Sequence, residues 1–399
     1  MKSNVIKYIF FIAVLIIVGV AIYMIYKDNK SNSENAENQA TAQTNQTITD
    51  LRMEIVSYDT INPLISNNIN VQEITKLIFE PLLQLDENYK LQPCLATEWA
   101  KSGDTSYILK LRSNVKWQDG TSFTAQDVKY TIETLKQINS IYSYNVQHIA
   151  SVDIIDNYSI RINLDTIIPF FEYNLIFPIV SSTYFAGQDI QNTDKNATPI
   201  GTGMYKIESN STSTVVLKKN TSWWNISEKN AKVDTINVNK YSSMGEAYNA
   251  FKLGNIDILT TENINIEDNI GTIGYNKKEF YGREHDFIAL NTYDNFLSRW
   301  EVRKAISYAI DKSSIVTSVY GGKYYTADNP LDYGNWTFEQ GSSSTGYNPD
   351  QAKQVLIDGG WSYKYGSWQK VENYKTIRLS INLTVNADNS SQVAVADII

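Results

Sequence analysis

The stretch from residue 95 to 135, LATEWAKSGDTSYILKLRSNVKWQDGTSFTAQDVKYTIETL, narrows the possible folds more than any other part of the chain. Side chains alternate along a strand, so Tyr107, Leu109 and Leu111 share one face and predict a half-buried strand. Asp119-Gly120 follows as a turn, because glycine accepts positive φ and an Asp side chain can bond its own backbone. Thr124 then reads as a helix N-cap with Asp127 three residues on, and Val128, Ile132 and Leu135 form the buried stripe. Strand, tight turn and capped amphipathic helix in one run predict an α/β protein.

The same signals recur downstream. Leu51, Met53 and Ile55 alternate as a strand, and further strands are predicted at 159–164, 214–218, 235–238 and 377–385. Helices are predicted at 71–79, stopped by Pro81, at 246–253, stopped by Gly254, and at 300–310. Ser298-x-x-Glu301 reads as a capping box for the last of these, and Asn348-Pro349 opens one more helix that ends at Gly359-Gly360.

Residues 8–26, YIFFIAVLIIVGVAIYMIY, carry no charge and lie between Lys7 and Lys27. At helical rise they span about 28 Å, close to the hydrocarbon thickness of a bilayer. They are read as an uncleaved signal anchor with the bulk of the chain outside; a cleaved signal peptide is the alternative. Residues 27–49, rich in Asn, Ser, Gln and Thr, predict a disordered stalk, since they hold almost no apolar surface to bury.

The 399 residues exceed a single ordinary core, and the net charge of −8 without a basic block argues against nucleic acid. Cys94 is the sole cysteine, which excludes an internal disulfide and a cysteine-based metal cluster; it reads as a small buried hydrophobe. His148 and His285 stand in unrelated contexts without zinc spacing, and no Gly-x-Ser-x-Gly elbow occurs. Gly201-x-Gly203 lacks the third glycine of a dinucleotide loop, and Asn192, Asp194 and Asn196 lack the glycine and glutamate of a calcium loop. No enzymatic activity, cofactor or metal is expected. The 27 Tyr and 8 Trp favour binding, because each gives a cleft wall an apolar body with a polar tip, although most such residues serve as core or surface.

The order LA-x-x-W, aromatic strand, then L-R-x-x-V-K-W-x-D-G-T-x-F-T-A-x-D-V resembles the signature of the bacterial extracellular solute-binding proteins of family 5, the oligopeptide, dipeptide and nickel binders of ABC importers. Phe79-Glu80-Pro81-Leu82-Leu83, Pro199–Lys206 (PIGTGMYK), Asn220–Asn225 (NTSWWN), Gly254-x-x-Asp257, Arg303–Asp311 (RKAISYAID) and Tyr347–Trp361 (YNPDQAKQVLIDGGW) are similar to further family segments in the family's order. Met204 departs from the proline common in the glycine-rich turn.

The resemblance implies an α/β, two-lobed periplasmic-binding-protein-like fold of the large class II type with mixed sheets, preceded by one transmembrane helix. It implies lobe I at 50–285, with an inserted subdomain at about 84–194, and lobe II at 286–399, incomplete at its C-terminus because family members continue well past Ile399. The implied function is a monomeric, membrane-tethered subunit that captures oligopeptides between its lobes and delivers them to ABC permease subunits. Nickel chelates, oligosaccharides and a pheromone-receptor role without transport are alternatives on the same scaffold. Residue by residue, the resemblance points to Asn67, Asn68 and Ile69 along a bound peptide backbone, to Tyr142 as a cleft tyrosine, and to Phe287 and Asn291 on a crossover strand near the hinge. Relatives carry an acidic or small residue where Asn67 stands.

Overall fold

The computed structural model describes residues 49–280, 282, 285–327, 346–387 and 389–399. The predicted anchor at 8–26 lies outside the described residues, as does the stalk except for Thr49; among the described residues, no helix is long and apolar enough to cross a membrane.

Strand β1 (Asp50–Val56) leads through a loop into helix α1 (Ile69–Thr75), which stops four residues short of the expected end at 79 because the chain tightens into turns, with Leu77 and Ile78 N–H bonding the Ile74 and Thr75 carbonyls; a hairpin of β2 (Leu83–Leu85) and β3 (Leu91–Pro93) follows. Then come β4 (Ala96–Lys101), β5 (Ser106–Leu111), α2 (Ala125–Leu135), the single turn α3 (Ser143–Val146), β6 (Ile149–Asp156) and β7 (Ser159–Leu164). These four strands form an antiparallel sheet in the order β4-β5-β7-β6. Tyr107, Leu109 and Leu111 of β5 are buried together, as their alternation predicts, and Val128, Ile132 and Leu135 bury the facing stripe of α2. The Asp127 carboxylate accepts the Thr124 backbone N–H at 2.8 Å, the reach-back bond of the expected cap.

The chain next builds β8 (Tyr205–Asn210), β9 (Thr214–Lys219), β10 (Thr235–Tyr241), α4 (Met244–Lys252) and the turn α5 (Glu267–Ile270). A second sheet runs β1-β10-β9-β8, with β1 parallel to β10 and the other pairs antiparallel. Parallel neighbours need a long crossover, and here the crossover holds the whole antiparallel sheet. One continuous core joins both sheets, from Ile55 and Ile78 through Leu109, Ile132 and Ile160 to Leu217 and Val238. On β1's other side Met53 forms a parallel bridge with Ile258, and Asp257 clamps Arg52: its carboxylate takes two guanidinium bonds at 2.6 and 3.0 Å and the Arg52 backbone N–H at 2.8 Å.

A separate, smaller core forms around α6 (Trp300–Ala309) and α8 (Pro349–Asp358), with α7 (Lys312–Ser318) between them in sequence. Leu297, Val302, Ala305, Ala352, Leu356 and Trp361 are its buried members. A meander of β11 (Ser362–Lys364), β12 (Ser367–Glu372) and β13 (Lys375–Arg378) packs on it, and α9 (Ser390–Ile398) follows.

Three further sequence expectations are corrected. The strand predicted at 377–385 ends at Arg378: one further bond, from Leu379 N–H to Trp368 O at 2.8 Å, reaches β12, whose first residue is Ser367, and the chain then leaves the ladder. Arg299, not Ser298, caps α6, and Glu301 turns inward instead of reaching back: it is buried beside the Trp361 indole and 3.9 Å from Lys370 Nζ. Finally, the crossover segment carrying Phe287 and Asn291 is irregular, since a strand persists only where a neighbour supplies a ladder and no described strand pairs with it.

Candidate functional site

In α/β sheets, loops at the carboxyl ends of parallel strands are the ordinary place for a ligand. Strands β1 and β10 end together there, at Val56 and Tyr241. The loop that leaves β1, residues 58–68, is held by its own polar side chains. Asp59 accepts the Ser66 hydroxyl at 2.8 Å and the Asn67 N–H at 2.9 Å. Asn62, fully buried, accepts the Leu64 N–H at 3.0 Å and donates to Asn196 at 2.7 Å.

Asn68 is wholly engaged. Its amide nitrogen donates to Val56 O at 2.8 Å and Ser57 O at 2.7 Å, while its oxygen accepts from Asn70 and Val71 N–H as the N-cap of α1. Asn67 and Ile69 on either side are exposed, Ile69 by 62 %. One turn into α1, the buried Gln72 donates to Pro63 O at 2.9 Å and Ser66 O at 2.8 Å. The Tyr142 hydroxyl donates to Gln72 Oε1 at 2.9 Å. Burial and the Glu73 carboxylate push that phenol up to about 12, so it keeps its proton.

The structure therefore brings Asn67, Asn68, Ile69 and Tyr142 to one corner, stitched by Gln72. Phe287, 81 % exposed, lies in the irregular segment, and Asn291 closes a turn by accepting from Tyr293 N–H and, through its carbonyl, from Asp294 N–H. Neither has a described contact with the corner. Two further groups stand at the same sheet end and were not predicted. Lys240 Nζ lies 3.7 Å from the centre of the Tyr58 ring and donates to Asn210, whose amide donates to Tyr58 at 2.9 Å. Desolvation lowers the Lys240 ammonium and raises the Tyr58 phenol. A lone lysine ending a strand and a lone glutamine on a helix carry no spacing signal that would mark them.

A second polar cluster explains several motifs at once. The buried Glu80 accepts from Thr202 Oγ1 at 2.8 Å, Trp223 Nε1 at 3.0 Å and Trp224 Nε1 at 2.8 Å, with the Arg112 guanidinium 4.2 Å from the Trp224 ring centre. Burial raises its carboxyl, and these donors with Arg112 pull it back. Gly203 N–H and Tyr205 N–H bond the carbonyls of Ile78 and Leu77 beside it. A Cβ on Gly201 would stand 1.8 Å from Ile78 O, so only glycine fits this close backbone approach. The cluster joins four segments, and both oxygens of its carboxylate are taken by these donors. Cys94 is buried, its thiol raised by desolvation, and His148 pairs with Asp165 at 3.1 Å on the surface.

The model of bacterial extracellular solute-binding proteins, family 5, middle region, matches residues 90–399, and the chain belongs to that family. Glutathione-binding protein GsiB of Escherichia coli (strain K12) is 26 % identical over 344 residues, covering 82 % of this chain and 65 % of the relative. The chain thus spans about two thirds of the length of such relatives. NikZ from Campylobacter jejuni, solved in complex with Ni(L-His), superposes with TM-score 0.66 at 27 % identity over 88 % of this chain and 70 % of NikZ. The oligopeptide-binding protein AppA from Bacillus subtilis, in complex with a nonapeptide, superposes with TM-score 0.57 at 22 % identity, over 82 % of this chain and 67 % of AppA, and supports the fold alone. The α/β periplasmic-binding-protein-like fold with mixed sheets follows from these likenesses.

Proposed function

We propose that this chain is the extracytoplasmic substrate-binding subunit of an ABC importer and captures oligopeptides without catalysing a reaction. The observation that carries the reading is the family match over residues 90–399. The sheet-end corner supports it, because Asn67 and Ile69 stand exposed at the end of the parallel strand pair, where an extended peptide can lie along them. In this reading residues 50–285 form lobe I with the antiparallel sheet as its insertion, and residues 286–399 contribute to lobe II. A ligand closes the cleft between them. Asn67, Ile69 and Tyr142 meet the ligand and Asn68 holds the loop; Phe287 and Asn291 lie toward the hinge. Residues 8–26 tether the monomer to the membrane, beside a permease.

Nickel chelates are the second reading, favoured by the likeness to NikZ with its bound Ni(L-His). A thermal melt of the chain with tri- to pentapeptides, glutathione and Ni(L-His) in turn separates the two. A ligand bound only by the folded state raises the midpoint by mass action. An upward shift with peptides alone supports the first reading; a shift with Ni(L-His) alone replaces it with the second.

A further inference from the structure

Gln72 contacts three groups, and the three together leave it one orientation. Pro63 O and Ser66 O, at 2.9 and 2.8 Å, are backbone carbonyls that can only accept, so the Gln72 NH2 group must face them. The Gln72 Oε1 atom is then left for Tyr142, and an amide oxygen can only accept. The Tyr142 hydroxyl owns one proton, and that proton is spent on Gln72 at 2.9 Å. Its remaining capacity is two lone pairs.

From this chain of bonds we infer that Gln72 is a specificity-determining positioning residue: it fixes the Tyr142 hydroxyl as a pure acceptor, so the ligand atom that meets it must be an N–H or O–H donor. An ether, ester or carboxylate oxygen brought to the same point faces lone pairs on both sides. Gln72 is 5 % exposed and acts only through Tyr142 and the 58–68 loop. The inference rests on the reading of Tyr142 as a ligand contact.

The test is a substitution scan of tetra-alanine, measured by calorimetry on the full chain, in which each amide N–H in turn becomes an ester oxygen and the terminal amine is removed. In the wild type one position of the scan is expected to lose at least tenfold in affinity. Tyr142→Phe should flatten that position to within twofold. Gln72→Leu frees the hydroxyl proton, which can then turn to the ester oxygen, and the loss should shrink below threefold. Melting curves report separately on folding, and if Gln72→Leu does not fold, the near-isosteric Gln72→Met, which also lacks an amide acceptor for Tyr142, takes its place under the same criteria. Wild-type binding with a flat scan, or a tenfold loss that survives in Tyr142→Phe or in folded Gln72→Leu, overturns the inference alone. No binding of tetra-alanine by the wild type overturns it together with the peptide reading.

Discussion

The Trp224 indole donates to Glu80 Oε2 at 2.8 Å across 144 positions of sequence, and the neighbouring Trp223 donates to the other oxygen at 3.0 Å. A carboxylate can accept from both indoles and from Thr202 at once; an amide in its place would turn its NH2 group toward a donor. Glu80→Gln is therefore expected to lower the unfolding free energy by about 3 kcal/mol, the cost of stranding buried donors. Urea titration followed by tryptophan fluorescence reads this directly, and an unchanged midpoint would remove Glu80 from its place as a staple.

Gly201→Ala places a methyl group 1.8 Å from Ile78 O, a backbone atom held by the Gly203 N–H at 2.8 Å. Destabilisation above ~3 kcal/mol is expected. Gly346→Ala meets nothing within 4 Å and should stay within ~0.5 kcal/mol of the parent, both variants being read by urea titration.

Glu54, 8 % exposed, accepts the Thr260 N–H at 2.7 Å through one oxygen, while the other has no partner among the described residues. Desolvation raises its carboxyl above the ordinary range. The folded chain then holds a proton that the unfolded chain releases from about pH 4.3 upward, so this group's contribution to stability falls as pH rises through that window. In Glu54→Gln the fall is absent, and stability relative to wild type should climb from pH 4 to pH 7. Parallel pH profiles would contradict the assignment.

Asn68 and Ile69 are adjacent but separable. Asn68→Ala removes a helix cap and two bonds to β1's end, and should cost about 1–2 kcal/mol in chemical denaturation. Ile69→Ala should leave stability within ~0.5 kcal/mol and, on the proposed function, weaken ligand binding instead. Equal stability losses in the two variants would mean that Ile69 is part of the packing.

What could be read from sequence follows from how local the cause is. The strand over 159–164 and the helix opened by Asn348-Pro349 are specified by neighbours a few residues away, and both form where expected. The expected cap at Ser298 does not form, because the carboxylate of Glu301 answers to Trp361 and Lys370, 60 or more residues on. The irregular course around Phe287 depends on whether a partner strand lies alongside, which alternation cannot reveal. At the corner, family likeness points to Asn67–Ile69 and Tyr142 but not to Gln72, whose meaning lies in carbonyls at Pro63 and Ser66 that only the folded loop presents.

The parallel pairing of Asp50 with Thr235 also imposes a timetable. A ribosome adding about 5–20 residues per second needs roughly 10–40 s to deliver β10 after β1 has emerged. During that interval β4 to β7, whose partners all lie between residues 96 and 164, can close their own sheet while β1 waits with its edge unpaired. The first strand made is thus among the last secured. A nascent chain halted before residue 235 should hold a finished antiparallel sheet and an unprotected N-terminal strand, the very segment a holdase chaperone would need to cover.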